Sequence, residues 1–139
     1  MKDTLKKLFT LGLLLFGSSA VAFELSEPFL CAVTQVHQCR DGFGCEAVLP
    51  EDVSAPTFIW VDVKGKHLKT NRNAPGTRIN RVTTLENRHI LQGAEDGVPD
   101  RPDGAGWTIS IENETGRFVG AIAVAQASIT LFGACTELE

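Results

Sequence analysis

The feature that most constrains this chain is a hydrophobic pattern of period two, cut into short runs by glycine, proline and asparagine. In residues 107–112, Trp107, Ile109 and Ile111 alternate with Thr108, Ser110 and Glu112. Side chains along a strand point alternately to its two faces, so this run presents one apolar face and one polar face. No segment longer than one turn carries helical periodicity. Strand-type runs occupy residues 29–36, 46–49, 57–63, 67–70, 77–85, 89–93, 117–125 and 127–134 as well. In residues 57–63 both faces are mostly apolar (Phe58 and Trp60 against Ile59, Val61 and Val63), which predicts a strand covered on both sides. Breaker-rich stretches lie between the runs, among them residues 71–76 (NRNAPG) and the acidic stretch 94–106. The pattern predicts an all-β domain: a single small antiparallel meander of about eight strands, closing into a barrel or a sandwich and tied by disulfides. The first and last strands would close the sheet.

The amino end has a different character. Lys2, Lys6 and Lys7 precede an apolar stretch from Leu8 to Phe16, followed by Gly17-Ser18-Ser19 and Ala20-Val21-Ala22. This order matches a secretory signal with an A-x-A cleavage site after Ala22. The apolar stretch is too short for a membrane-spanning helix, which needs about 20 residues. The expected mature chain is a single domain of residues 23–139, periplasmic or secreted, with no membrane span.

All four cysteines (Cys31, Cys39, Cys45, Cys135) fall in that mature part, and an even count in an exported domain reads as disulfides. Cys39 and Cys45 flank a loop with two glycines, while Cys31 and Cys135 each sit beside apolar strand neighbours near the two chain ends. The expected pairs are Cys39–Cys45 and Cys31–Cys135, which in a chain-entropy model contribute about 2.5 and about 4.8 kcal/mol. The alternative is a zinc set of Cys31, His37, Cys39 and Cys45. Its spacing is that of no standard finger, and an exporting compartment oxidises thiols. On the disulfide reading, His37 is an exposed polar residue of the first strand.

Without residues 1–22 the chain carries ten Lys and Arg against sixteen Asp and Glu, a charge of −6 that excludes a generally basic nucleic-acid binder. The charge is blocked: residues 23–63 sum to −6, residues 64–94 to +6 and residues 95–139 to −6. The basic block holds Lys64, Lys66, Lys69, Arg72, Arg78, Arg81 and Arg88, and either solvates hairpin edges or attracts an anionic polymer or acidic protein. Glu95, Asp96, Asp100 and Asp103 crowd one loop, read as a solvated surface with calcium as the alternative. Asn113-Glu114-Thr115 matches a glycosylation pattern and reads more simply as a turn. No nucleophile elbow, metalloprotease helix, phosphate loop, dinucleotide fingerprint or C-x-x-C is present. No cofactor is expected.

The chain resembles a loose group of small exported proteobacterial β proteins of unknown function. The resemblance rests on Cys31, Cys39 and Cys45, on Trp107-Thr-Ile-Ser-Ile-Glu-Asn-Glu-Thr-Gly116, and on Phe132-Gly-Ala-Cys135. It implies export and a small β fold, and no activity.

These readings lead to a non-catalytic exported binding module for a small apolar ligand or a partner. The expected binding residues are Trp60 and Trp107 together with Lys64, Lys66, Lys69 and Arg72. Two alternatives stand beside it: an inhibitor of a secreted hydrolase acting through a loop such as residues 94–106, and an enzyme with dispersed catalytic residues.

Overall fold

The computed structural model of the chain describes residues 23, 25–73, 75–97 and 104–138. The proposed signal, Asp100 and Asp103, and much of the acidic loop lie outside the described residues. The strands are β1 (Phe29–Arg40), β2 (Gly44–Val48), β3 (Phe58–Asp62), β4 (His67–Lys69), β5 (Thr77–Arg78), β6 (Arg81–Thr84), β7 (Arg88–Glu95), β8 (Ala105–Glu112), β9 (Arg117–Ala123) and β10 (Ala127–Glu137), with a 3-10 turn at Pro50–Val53. All ten form one antiparallel sheet in the order β5-β4-β3-β1-β10-β9-β8-β7-β6, with β2 paired to β1 outside that path.

The sheet curls into a half-barrel, and the two ends of its path are successive halves of one segment. Thr77 and Arg78 pair with β4, whereas Arg81–Thr84 pair with β7. The switch occurs at two residues: Ile79 donates its N–H to the Lys66 carbonyl and Asn80 donates to the Gln92 carbonyl. Residues 77–84 thus make one bent stave, and β2 is a side excursion of β1. The remaining strands follow one another round the curl as the expected meander of about eight staves.

The expected disulfides are both present, between Cys31 and Cys135 and between Cys39 and Cys45. Each joins residues directly opposite in register, on β1–β10 and on β1–β2. The thiols of the zinc alternative are therefore consumed, and that reading is withdrawn. His37 is also corrected. It is half-buried, with its ring edge-on to Phe132 at 5.9 Å and its Nε2 accepting from the Gln35 amide at 2.8 Å.

The inward face carries the core: Phe29, Cys31, Val33 and Val36 from β1, Ile59 and Val61 from β3, Leu91 from β7, and Trp107, Ile109 and Ile111 from β8. Strand β3 is not covered on both sides, because Phe58 is 44% exposed and packs at 6.2 Å on half-buried Trp60 on the outer face. Where β1 crosses β10, Gly133 allows the strands to close. A Cβ there would collide with the Ala32 carbonyl oxygen and with the Phe118 ring, next to the bulge between Val33 and Gln35.

The two disulfides sit in different surroundings and should contribute differently. Cys31 is fully buried and closes 104 residues of chain, whereas Cys45 lies on an exposed hairpin and closes six. Replacing Cys31 and Cys135 together by Ala should cost about 3–5 kcal/mol in urea unfolding, and replacing Cys39 and Cys45 about 2 kcal/mol. Equal losses would show that hairpin closure matters as much as the β1–β10 seam.

Candidate functional site

The two ends of the half-barrel are built from different residues. At the end where β1 starts and β10 finishes, large side chains fill the interior. Phe23 meets Phe29 edge-on at 4.8 Å, and Ile111, Phe118 and the Cys31–Cys135 bridge complete the packing. His89 is buried there. Its Nε2–H donates to the Phe23 carbonyl at 3.2 Å, so its Nδ1 accepts from the Thr84 hydroxyl at 3.3 Å.

The opposite end is open. Between the start of β3, the end of β4, the start of β5 and the facing ends of β7 and β8 lies a cavity of about 200 Å³. Its rim is Ser54, Pro56, Thr70, Thr77, Glu95 and Ala105. Its wall is apolar, made by Ile59, Leu68, Trp107, Ile109, Ile122 and Leu131. Gly120 also lines it, and the missing side chain leaves space beside Leu131. The reason for the opening is sequence-local: the residues that face inward nearest this end are small or branched, and the nearest aromatic is Trp107.

Trp107 is held by Gly93, its register partner on β7. The indole lies across Gly93 so closely that a Cβ there would overlap its six-membered ring and approach the Arg78 carbonyl to 2.6 Å. A strand glycine covered by a cross-strand aromatic is a recurrent pairing in sheets. Trp107 is 9% exposed, and its Nε1–H is buried without an acceptor. An unmade buried hydrogen bond of this kind costs about 1–3 kcal/mol.

The expected binding residues do not gather at one place. Trp107 faces the interior, whereas Trp60 faces outward directly opposite Lys69 in register. Trp60, His67 and Lys69 line a separate outer recess of about 250 Å³ with Pro28, Pro75 and Leu138. Lys64 is ion-paired with Glu27 at 3.0 Å, and both partners are exposed. Lys66, at φ 56°, forms the β3–β4 turn, and Arg72 lies in the loop that follows β4. The basic block therefore runs along β4 from one end of the domain to the other. Arg88 is separated from it on β7 and donates to the Ser110 hydroxyl at 3.2 Å.

Sequence reasoning did not single out Phe43, and it offered Asn113 only as part of a glycosylation pattern or a turn; both matter here. Phe43 is 88% exposed at the tip of the β1–β2 hairpin, between Gly42 and Gly44 with φ near 75° and 81°, and the Cys39–Cys45 bridge closes that tip. The only signal for it was an aromatic inside a Gly-x-Gly turn. The hairpin projects from the same end as the cavity, since β1 ends there. The second is Asn113, whose Nδ2 donates to the Glu86 carbonyl at 3.2 Å and whose Oδ1 is buried without a donor. Of the acidic loop, Glu95 is on the cavity rim and Asp96 is exposed. Among the described residues no group of three or more His, Cys, Asp or Glu is placed to hold a metal ion.

Filling the space over Gly93 should dislodge the indole. Gly93→Ala is expected to shift the Trp107 emission to longer wavelength in a Trp60→Phe background and to lower stability by about 2–3 kcal/mol. An unchanged spectrum would mean that the indole has another support.

Compared with protein-family models, with curated proteins and with solved structures, the chain has no match.

Proposed function

We propose that the protein is an exported, non-catalytic binding module that takes up a small apolar molecule at the open end of its half-barrel. The observation that carries this reading is the apolar cavity beside Trp107. A volume of about 200 Å³ is below the 300–1,000 Å³ usual for drug-sized ligands, so the occupant is a short alkyl chain or a single ring. Apolar cavities of about 150 Å³ stay dry and admit a benzene-sized guest. Location outside the cytoplasm belongs to the same proposal. Two disulfides support it, and among the described residues no helix is long and apolar enough to cross a membrane.

The test uses the indole N–H resonances of Trp60 and Trp107 in nitrogen–proton correlation spectra. Titration with 2-octanone or n-octane should move the Trp107 signal and saturate. Leu131→Phe, which fills the cavity, should remove the response. A Trp107 signal that does not move with either compound up to its solubility would end the proposal.

A second reading, inhibition of a secreted hydrolase, is favoured by Phe43. A rigid aromatic displayed on a crosslinked tip loses little freedom on docking and suits an anchor in a partner's pocket. The Phe43 N–H bonds to the Arg40 carbonyl at 3.1 Å, so the tip is a tight turn rather than the extended stretch a protease cleft accepts. On this reading Phe43 blocks a cleft as a plug, and Phe43→Ser abolishes inhibition while leaving the 2-octanone response intact.

A further inference from the structure

The outer face of the sheet holds a recess on the side of β3 away from the cavity. Along β3, Phe58, Trp60 and Asp62 alternate with the buried Ile59 and Val61, as the two-residue period of a strand requires. Trp60 is half-buried and lines a recess of about 250 Å³ whose apolar walls include Pro28, Pro75 and Leu138. Its polar border comes from Asp62, His67 and Lys69. Lys69 stands opposite Trp60 in register, and His67 stands opposite Asp62. On the next strand the exposed Arg78 stands opposite His67. Phe58 continues the aromatic surface beyond the recess, with its ring centroid 6.2 Å from that of Trp60. Neither ring belongs to the core. An exposed apolar strip bordered by polar groups marks a binding surface rather than a packing one.

The charges at this border are unequally engaged. Among the described residues neither Lys69 nor Arg78 has an ion-pair partner. Asp62 is turned to the β3–β4 turn, where its Oδ1 accepts from the Gly65 N–H at 2.7 Å. Lys69 is half-buried, and its stem runs along Gly76, at φ 79°. A Cβ at Gly76 would lie 2.9 Å from the Leu68 carbonyl oxygen and 3.0 Å from Lys69 Cγ. A long side chain packed in this way has less rotamer freedom to lose on binding.

A ligand for this place needs an apolar face for the indole, an anionic group for Lys69 and further polar groups around its edge. A pyranose ring has a face made of C–H bonds and a rim of hydroxyls, and a uronic acid adds a carboxylate to that rim. We propose that the Trp60 recess binds a carbohydrate chain through a uronic acid residue, whose ring stacks on the indole and whose carboxylate is received by Lys69. Hydroxyls at the ring's edge meet His67 and Asp62, and the next sugar of the chain rests on Phe58. A cavity of about 150 Å³ already admits a six-membered ring, so the recess takes one sugar and leaves the rest of the chain on the open face. A wholly apolar ligand would leave the polar border without partners, and a neutral sugar would leave Lys69 uncompensated. Bonds between charged groups are about twice as strong as those between neutral ones, which selects the acidic sugar. Trp60 and Trp107 lie on opposite faces of the sheet, so this site is independent of what the cavity takes up.

The experiment titrates the folded protein with trimers of galacturonate, mannuronate and guluronate, each with its carboxylates free or methyl-esterified. At least one free trimer should move the Trp60 indole N–H resonance to saturation and leave that of Trp107 in place. Its methyl ester should bind about tenfold more weakly. By calorimetry, Lys69→Gln should bring the affinity for the free trimer down to that for the ester without changing the latter, and Trp60→Ala should abolish both. A Trp60 resonance unmoved by all three free trimers overturns the proposal. Equal binding of the acid and its ester overturns it as well, because the carboxylate would then play no part. So does binding that survives Trp60→Ala, since the sugar would then lie elsewhere.

Discussion

The pairing of β1 with β10, pinned by Cys31–Cys135, is the contact on which the rest of the structure depends. It joins residues 104 apart in sequence, so it carries the largest loop-closure cost of any seam in the sheet. Once it is made, the other joins along the sheet path are between strands consecutive in the chain, except that β2 and the 3-10 turn lie between β1 and β3. Strand β1 then serves three partners, with β10 along one edge and β3 and β2 end to end along the other. Gly133 is the local condition for this: the two backbones approach too closely for any Cβ at that position.

From that seam follows the asymmetry between the two ends. Near it, Phe23, Phe29, Ile111 and Phe118 pack around the disulfide, and His89 uses both ring nitrogens to bind Phe23 to the end of β6. At the far end, Ser54, Pro56, Thr70, Thr77, Glu95 and Ala105 rim the opening, and the interior is left open beside Trp107. A close-packed end holds the geometry of the open one, which is what a preformed site needs. The bent stave of residues 77–84 belongs to both, since its first half borders the cavity and its second half reaches His89 through Thr84.

Charge plays a smaller part. The ion pairs Lys64–Glu27 and Arg40–Glu46 join exposed side chains, and such pairs contribute at most about 1 kcal/mol each. The positive block that is so clear along the chain is drawn out along β4 and its flanking turns, and Arg88 is carried to another part of the sheet. A run of like charge in sequence becomes a patch only if the strands carrying it are adjacent and face the same way.

The period-two pattern by itself determined the β class, the inward set Trp107, Ile109 and Ile111, and the succession of hairpins, because alternation along a strand is a local property. The apolar neighbours of Cys31 and Cys135 and the glycines between Cys39 and Cys45 likewise led to both disulfides. Other features were decided only by the tertiary structure. Residues 77–85 read as one strand, yet they divide at Ile79 and Asn80, since hydrogen-bond partners on two different strands are available there. Trp60 and Trp107 read as members of one candidate site, yet they occupy opposite faces, because whether a strand's odd or even residues turn inward is set by its register with neighbours. The same holds for the two orphaned polar groups, Trp107 Nε1 and Asn113 Oδ1. An unmet hydrogen bond is a relation between distant segments, and no single stretch of sequence contains both sides of it.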